Sequence, residues 1–143
     1  MEVEIQEICE KDYPEVVAIW ENDLGHKITL EQLALKTDMM NRDDAYDTFV
    51  AVSEEKVVGF ITIEESMDLV SPIGCLRING IAVRHEYQRR GIGTKLMAHA
   101  EAFAKENGLS SIILNSGVKR KAAHAFYKSL GYDMDSYCFD KRI

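Results

Sequence analysis

Val3-Glu4-Ile5-Gln6-Glu7-Ile8 alternates apolar and polar residues, which is the period of a half-buried strand. From Tyr13 the period becomes helical. Tyr13, Val16, Val17, Trp20 and Leu24 form one apolar stripe, Asp12 and Glu15 have capping-box spacing with Pro14 in the first turn, and Gly25 supplies the stop. Thr29 and Gln32 repeat the capping spacing before Leu30, Leu33 and Ala34, which predicts a second helix to about Met40 and a helical hairpin around His26. Thr48 to Val52 and Val57 to Ile63 are rich in β-branched and apolar residues, and the polar Ser53-Glu54-Glu55-Lys56 between them predicts a β-hairpin.

Ser66 to Pro72 reads as a loop and Gly74 to Val83 as a long strand. A third helix is expected from about Gly93 to Asn107, with Leu96, Met97, Ala100, Phe103 and Ala104 on one face and Gly108 as its stop. Ser111 to Asn115 predicts a short buried strand, Lys119 to Leu130 a fourth helix, and the remainder a terminal hairpin. No repeat, low-complexity tract or linker interrupts this order, β-α-α-β-β-β-α-β-α-β-β. It describes an α/β chain expected to form one domain over 1–143.

The composition fits that expectation, since 143 residues with 46% hydrophobic and 29% charged positions suffice for one substantial core. No apolar run approaches the roughly 18 residues of a membrane span, and Met1-Glu2-Val3-Glu4 is acidic where a secretory leader is basic, so the expectation is a soluble, cytoplasmic protein without a membrane partner. Cys9, Cys75 and Cys138 are odd in number and lack ligand-spaced histidines. They are expected to be reduced, buried thiols, with neither a metal site nor a catalytic thiol. The net charge of −7 argues against broad nucleic-acid binding, but it is divided: residues 1–70 carry −13 and residues 71–143 carry +6. A polyanion favours the second part. The acidic part either attracts a cationic amine or is a solvated face.

Gln88-Arg89-Arg90-Gly91-Ile92-Gly93 follows one predicted strand and opens a predicted helix. Glycines let a backbone approach a ligand closely, and the first amides of a helix lack intrahelical acceptors and favour an anion. Arg89 and Arg90 add charge-assisted donors. A nucleotide-triphosphate loop would place Lys and then Ser or Thr after the last glycine, whereas Gly93 is followed by Thr94 and Lys95. A dinucleotide fingerprint would need a small residue where Leu96 stands, in a longer chain. Neither pattern is present.

The loop is preceded by Ile81-Ala82-Val83 and followed, beyond another predicted strand, by Ala125-Phe126-Tyr127-Lys128-Ser129-Leu130-Gly131-Tyr132. In order and separation these two motifs resemble the GCN5-related N-acetyltransferase (GNAT) family, and the resemblance extends over essentially the whole chain. It implies a mixed, mostly antiparallel sheet with helices on both faces, and central strands that splay to admit acetyl-CoA. It implies that Ile81-Ala82-Val83 lines the pantetheine arm, with backbone groups of Ile81 and Val83 pairing to it. It also implies that Gln88 and the amides from Arg89 through Gly91, Ile92, Gly93 and Thr94 hold the pyrophosphate. A backbone N–H near Ile81 would polarise the thioester carbonyl.

By the same resemblance Tyr127 is the general acid toward the departing sulfur, a task that a phenol protonated at neutral pH can perform. Its alternative is packing against Ala123 and Leu130. Two positions depart from the family pattern. Asn79 stands where many relatives carry a glutamate and cannot take a proton; Glu64, Glu65, His85, Glu86 and His124 stay open as bases or as surface residues. Arg120 replaces a frequent asparagine and, with Lys119 and Lys121, either meets a cofactor phosphate or belongs to a solvated face. Trp20, Glu21, Asp23 and His26 lie on the acceptor-side hairpin, Trp20 also fitting the core.

The expected activity is direct acetyl transfer from acetyl-CoA to a primary amine of a small molecule or peptide, in a ternary complex and without metal. A non-catalytic acyl-CoA-binding or regulatory module is the alternative. A homodimer through the terminal strands is compatible with the chain, which carries no direct sign of oligomeric state.

Overall fold

The computed structural model describes residues 2–67, 69–70 and 73–143, so Asp68, Ser71 and Pro72 of the expected loop lie outside the described residues. The elements are β1 (Glu4–Glu7), α1 (Tyr13–Leu24), α2 (Leu30–Asn41), β2 (Tyr46–Ser53), β3 (Lys56–Ser66), β4 (Cys75–Val83), α3 (Ile92–Glu106), β5 (Ile112–Leu114) and α4 (Lys121–Ser129). They fall into two compact units, Met1–Ile113 and Leu114–Ile143.

The strand order is the chain order, β1-β2-β3-β4-β5, and β1 through β4, which lie in the first unit, are antiparallel. The turn between β2 and β3 is tight because Glu54 and Glu55 both take the left-handed conformation, at φ 50° and 64°. Register places Val50, Phe60 and Ala82 side by side. With Val16 and Ile19 of α1 and Ile28 and Leu33 beside or on α2, they form one buried cluster, and Trp20 stacks on Phe60 at 5.6 Å between ring centroids. The neighbouring residue of β2, Phe49, points to the opposite face, where its ring meets Phe103 of α3 at 6.2 Å and His99 at 4.4 Å. Helices therefore cover both faces. Gly59 permits the close passage of β4: a Cβ there would stand 2.8 Å from the Ala82 carbonyl oxygen, with Leu96 of α3 at 3.4 Å.

Several local expectations are corrected. Asp12 does not cap α1; its carboxylate turns back to accept from the Cys9 N–H at 2.9 Å, closing the short turn before the helix. Glu15, expected as the partner in that cap, instead accepts from the Val57 N–H at 3.0 Å and pairs with Arg84 at 3.1 Å. Thr29 and Gln32 do form their reciprocal cap on α2. The cysteines are free thiols, but Cys9 and Cys138 are exposed and Cys75 is half-buried: Cys9 precedes the short turn before α1, Cys75 opens β4 and Cys138 lies outside any helix or strand. β5 is only three residues long and half-buried rather than fully buried.

The second unit contains α4, which is shorter than the expected Lys119 to Leu130. It ends where the Tyr132 N–H returns to the Tyr127 carbonyl at 3.0 Å and Gly131 takes φ 90°. The expected terminal hairpin is absent: residues 133–143 form no strand. Met134, Tyr137 and Phe139 are 70%, 90% and 94% exposed. A segment becomes a strand only where a neighbouring backbone takes its N–H and C=O groups, and among the described residues these side chains stay exposed.

Asp47 of β2 sits in unfavourable electrostatic surroundings. Burial, followed by the Glu7, Glu65 and Asp44 carboxylates, pushes its carboxyl above the usual range. A raised folded value means that its contribution is fully present below the unfolded value, about pH 3.9, and is lost as pH rises through the folded one. Asp47→Asn is therefore expected to raise Tm at pH 7 by roughly 1–3 °C, a gain that vanishes near pH 3 in calorimetric scans.

Candidate acyl-transfer site

The β3/β4 ladder determines which backbone groups of β4 are available. Phe60 pairs with Ala82, and the Arg84 N–H donates to the Val58 carbonyl at 2.8 Å. In an antiparallel pair successive residues face opposite edges, so Ile81 and Val83 direct their N–H and C=O groups to the edge away from β3. The Val83 carbonyl accepts from Gln88 Nε2 at 3.0 Å. That edge adjoins β5 in the strand order, and the two strands are joined near their starts, where Leu76 N–H donates to Ser111 and Ser110 N–H to Gly74.

Between β4 and α3 the chain makes a short turn at His85–Tyr87 and then two left-handed residues, Arg89 at φ 62° and Gly91 at φ 80°. Arg89 lacks glycine's freedom in that region, so the loop holds about 1–2 kcal/mol of strain there. The first bond of α3 runs from Lys95 N–H to the Gly91 carbonyl at 3.0 Å, so the amides of Ile92, Gly93 and Thr94 precede the ladder. A Cβ added to Gly91 would meet nothing within 4 Å. The cradle is open, lined by amides and placed at the positive end of a 15-residue helix, which fits a diphosphate.

Arg90 reaches over the Tyr87 ring at 5.3 Å, and both border a cavity of about 500 Å³ together with Glu15, Lys56, Arg84 and Glu86. This cavity lies on the β3 and α1 side of the loop. Arg84 also donates from Nε to the Val57 carbonyl at 2.7 Å, and Asp23 at the end of α1 accepts from the His85 N–H at 2.9 Å. These ties anchor the loop from behind. Asp23, expected on the acceptor side, serves here as a tether.

β4 carries a bulge. Thr62 pairs with Gly80 and Ile63 with Ile78, leaving Asn79 as the extra residue. Its Nδ2 donates to Glu64 Oε2 at 3.0 Å. Thr48 and Thr62 exchange a hydroxyl bond at 3.0 Å, and Thr62 Cγ2 lies near Gly80, on the face that also carries Phe60. Sequence reasoning missed this arrangement, since nothing in Ile78-Asn79-Gly80 announces a bulge beyond the glycine.

In the second unit Tyr127 is buried on α4, with its ring 5.4 Å from Phe126 and 6.3 Å from Tyr132. Burial pushes its phenol up, while the Arg120 guanidinium opposes that rise. Arg120 is the N-cap residue of α4, two turns before Tyr127, so a coupling to the phenol joins the expected cofactor contact as a role for it. His124 Nε2 is engaged with the Gly117 carbonyl at 2.8 Å. The Ser116 hydroxyl oxygen is buried without a hydrogen-bond partner among the described residues, a polar orphan the sequence did not signal. Among the described residues no group of three or more acidic, His or Cys side chains could hold a metal, and no helix is long and apolar enough to cross a membrane.

The profile of the family described as "Acetyltransferase (GNAT) family" matches residues 4–132, across both units. Human N-acetyltransferase 8 is 31% identical over 113 residues, covering 75% of this chain and 50% of that protein. The N-acetylaspartate synthetase of Xenopus tropicalis is 32% identical over 116 residues, covering 76% of this chain and 41% of its own length. The chain thus spans about half the length of the curated relatives it matches. In fold it is similar to a transcriptional regulator from Bacillus halodurans, with TM-score 0.90, 21% identity, and coverage of 99% and 100% of the two chains. AAC(6')-Iy, solved in complex with a bisubstrate analog built on CoA, gives TM-score 0.86 at 14% identity, with coverage of 100% and 99%.

Proposed function

The chain belongs to the GNAT family of acetyltransferases, and from that premise we propose that residues 1–143 form one domain that transfers an acetyl group from acetyl-CoA to a primary amine. The observation carrying this reading is the row of helix-start amides after Gly91, where an added Cβ would meet nothing within 4 Å, beside a β4 strand whose Ile81 and Val83 groups face away from β3. Acetyl-CoA supplies an electrophilic thioester carbon when bound. The amides of Ile92, Gly93 and Thr94, with Arg89 and Arg90, hold the diphosphate. The outward N–H and C=O groups of Ile81 and Val83 pair with the pantetheine amides, and Gln88 yields its bond to Val83 as they do so. An N–H at Ile81 donates where negative charge grows on the carbonyl oxygen. Tyr127 gives its proton to sulfur, and Arg120 moderates the rise that burial imposes on the phenol.

The acceptor is a small-molecule or peptide amine. The negative charge of the first 70 residues favours the ammonium form on approach, which raises encounter rates at low salt. Acetyl-CoA incubated with the protein and a panel of primary amines is expected to release free thiol in step with amide formation. Tight coenzyme binding with no acetyl transfer to any amine would contradict the proposed activity.

A further inference from the structure

We infer that Glu64, held by Asn79 at the β4 bulge, receives the acceptor's ammonium and takes its proton. This rests on the transferase reading above. The bulge sends Asn79 and Gly80 to the α1 and α2 face, and Glu64 lies on that face two residues beyond Thr62. Glu65, the next residue, alternates to the α3 face, where its register partner Leu76 is buried. His85 and Glu86 sit past the end of β4, at the diphosphate end of the site. Of the carboxylates and imidazoles in the first unit weighed as bases, Glu64 is the one bonded to the strand residue that stands two positions before Ile81.

The Asn79 amide fixes one oxygen of Glu64 and leaves the other lone pairs for the acceptor. Asn79 is the extra residue of the bulge and stands two positions before Ile81, and in this proposal a water bridges Glu64 to the amine. Two protons leave the nitrogen in the net reaction. Glu64 takes the first and passes it to solvent, freeing the lone pair that forms the C–N bond. As the C–S bond breaks, its electron pair stays on sulfur, which receives the proton of Tyr127. The second proton from nitrogen balances the one that restores Tyr127. Asn79 acts through Glu64 and is a positioning residue.

The test compares wild type with Glu64→Gln, Glu64→Asp and Asn79→Ala, using cadaverine, benzylamine and alanine amide as probe amines. Glu64→Gln is expected to lower kcat about 100-fold on any amine that wild type acetylates, with acetyl-CoA affinity within about twofold of wild type. Glu64→Asp restores part of the loss. Asn79→Ala lowers kcat about tenfold with little change in KM, a split that loss of a merely structural contact would not produce. Independently of turnover, the side-chain amide resonance of Asn79 in 15N-labelled protein should move in Glu64→Gln and on adding cadaverine to wild type. A Glu64→Gln enzyme with wild-type kcat while transfer limits the rate, or an Asn79 amide indifferent to both changes, overturns the role of Glu64 and leaves the transferase reading intact. Wild type that binds coenzyme A and acetylates none of the probes overturns both.

Discussion

Gly91→Val is expected to weaken coenzyme A binding at least tenfold, about 1.4 kcal/mol or more, in equilibrium dialysis. Gly91 sits at φ 80°, where a β-branched residue is strained, and open space above it is where the diphosphate is proposed to lie. The substitution combines two effects. Strain costs about 1–2 kcal/mol of folding stability, and the added methyl groups enter the ligand's approach. Gly108 separates them, since it has φ 67° and equally open surroundings but stands just past the end of α3. Gly108→Val should lose a similar amount of stability and keep its coenzyme affinity. Arg89→Gly would relieve the strain at φ 62° while removing a guanidinium, so it should become slightly more stable and bind coenzyme more weakly at low salt.

Tyr127→Phe is expected to lower kcat by about 100-fold with coenzyme A affinity within threefold of wild type. The ring stays and keeps its contacts with Phe126 and Tyr132; only the hydroxyl is lost. Burial makes the phenol a weaker acid than a free one, so it holds its proton throughout the neutral range and gives it up only as charge builds on sulfur. The raised value also means that activity should not decline on the alkaline side through loss of this proton below about pH 10. Stopped-flow measurement of the transfer step checks both points. An unchanged transfer rate in Tyr127→Phe would remove the acid role.

The diphosphate loop was legible because it breaks both regular periods at once: Gly91 and Gly93 fit neither the strand before nor the helix after, and the arginines add charge. Tyr127 was legible only by its place beside Phe126 in a family motif. The periodic elements up to α4 were readable because their apolar stripes are the faces that the core buries, as with Phe60 and Trp20. Contacts distant in sequence were not. Glu15 and Arg84 are 69 residues apart, and a capping pattern gave Glu15 a more local partner. The Asn79 bulge depends on register between β3 and β4, which no single strand encodes. The hairpin expected of the last residues is absent; residue order alone does not reveal whether a pairing edge exists.

Calorimetric titration of acetyl-CoA and of free coenzyme A into folded wild-type protein is the most direct test of the amide cradle. One saturable binding event per chain is expected with each ligand, weakening as salt screens the arginines. Flat titrations with both ligands, up to millimolar concentration, would contradict it.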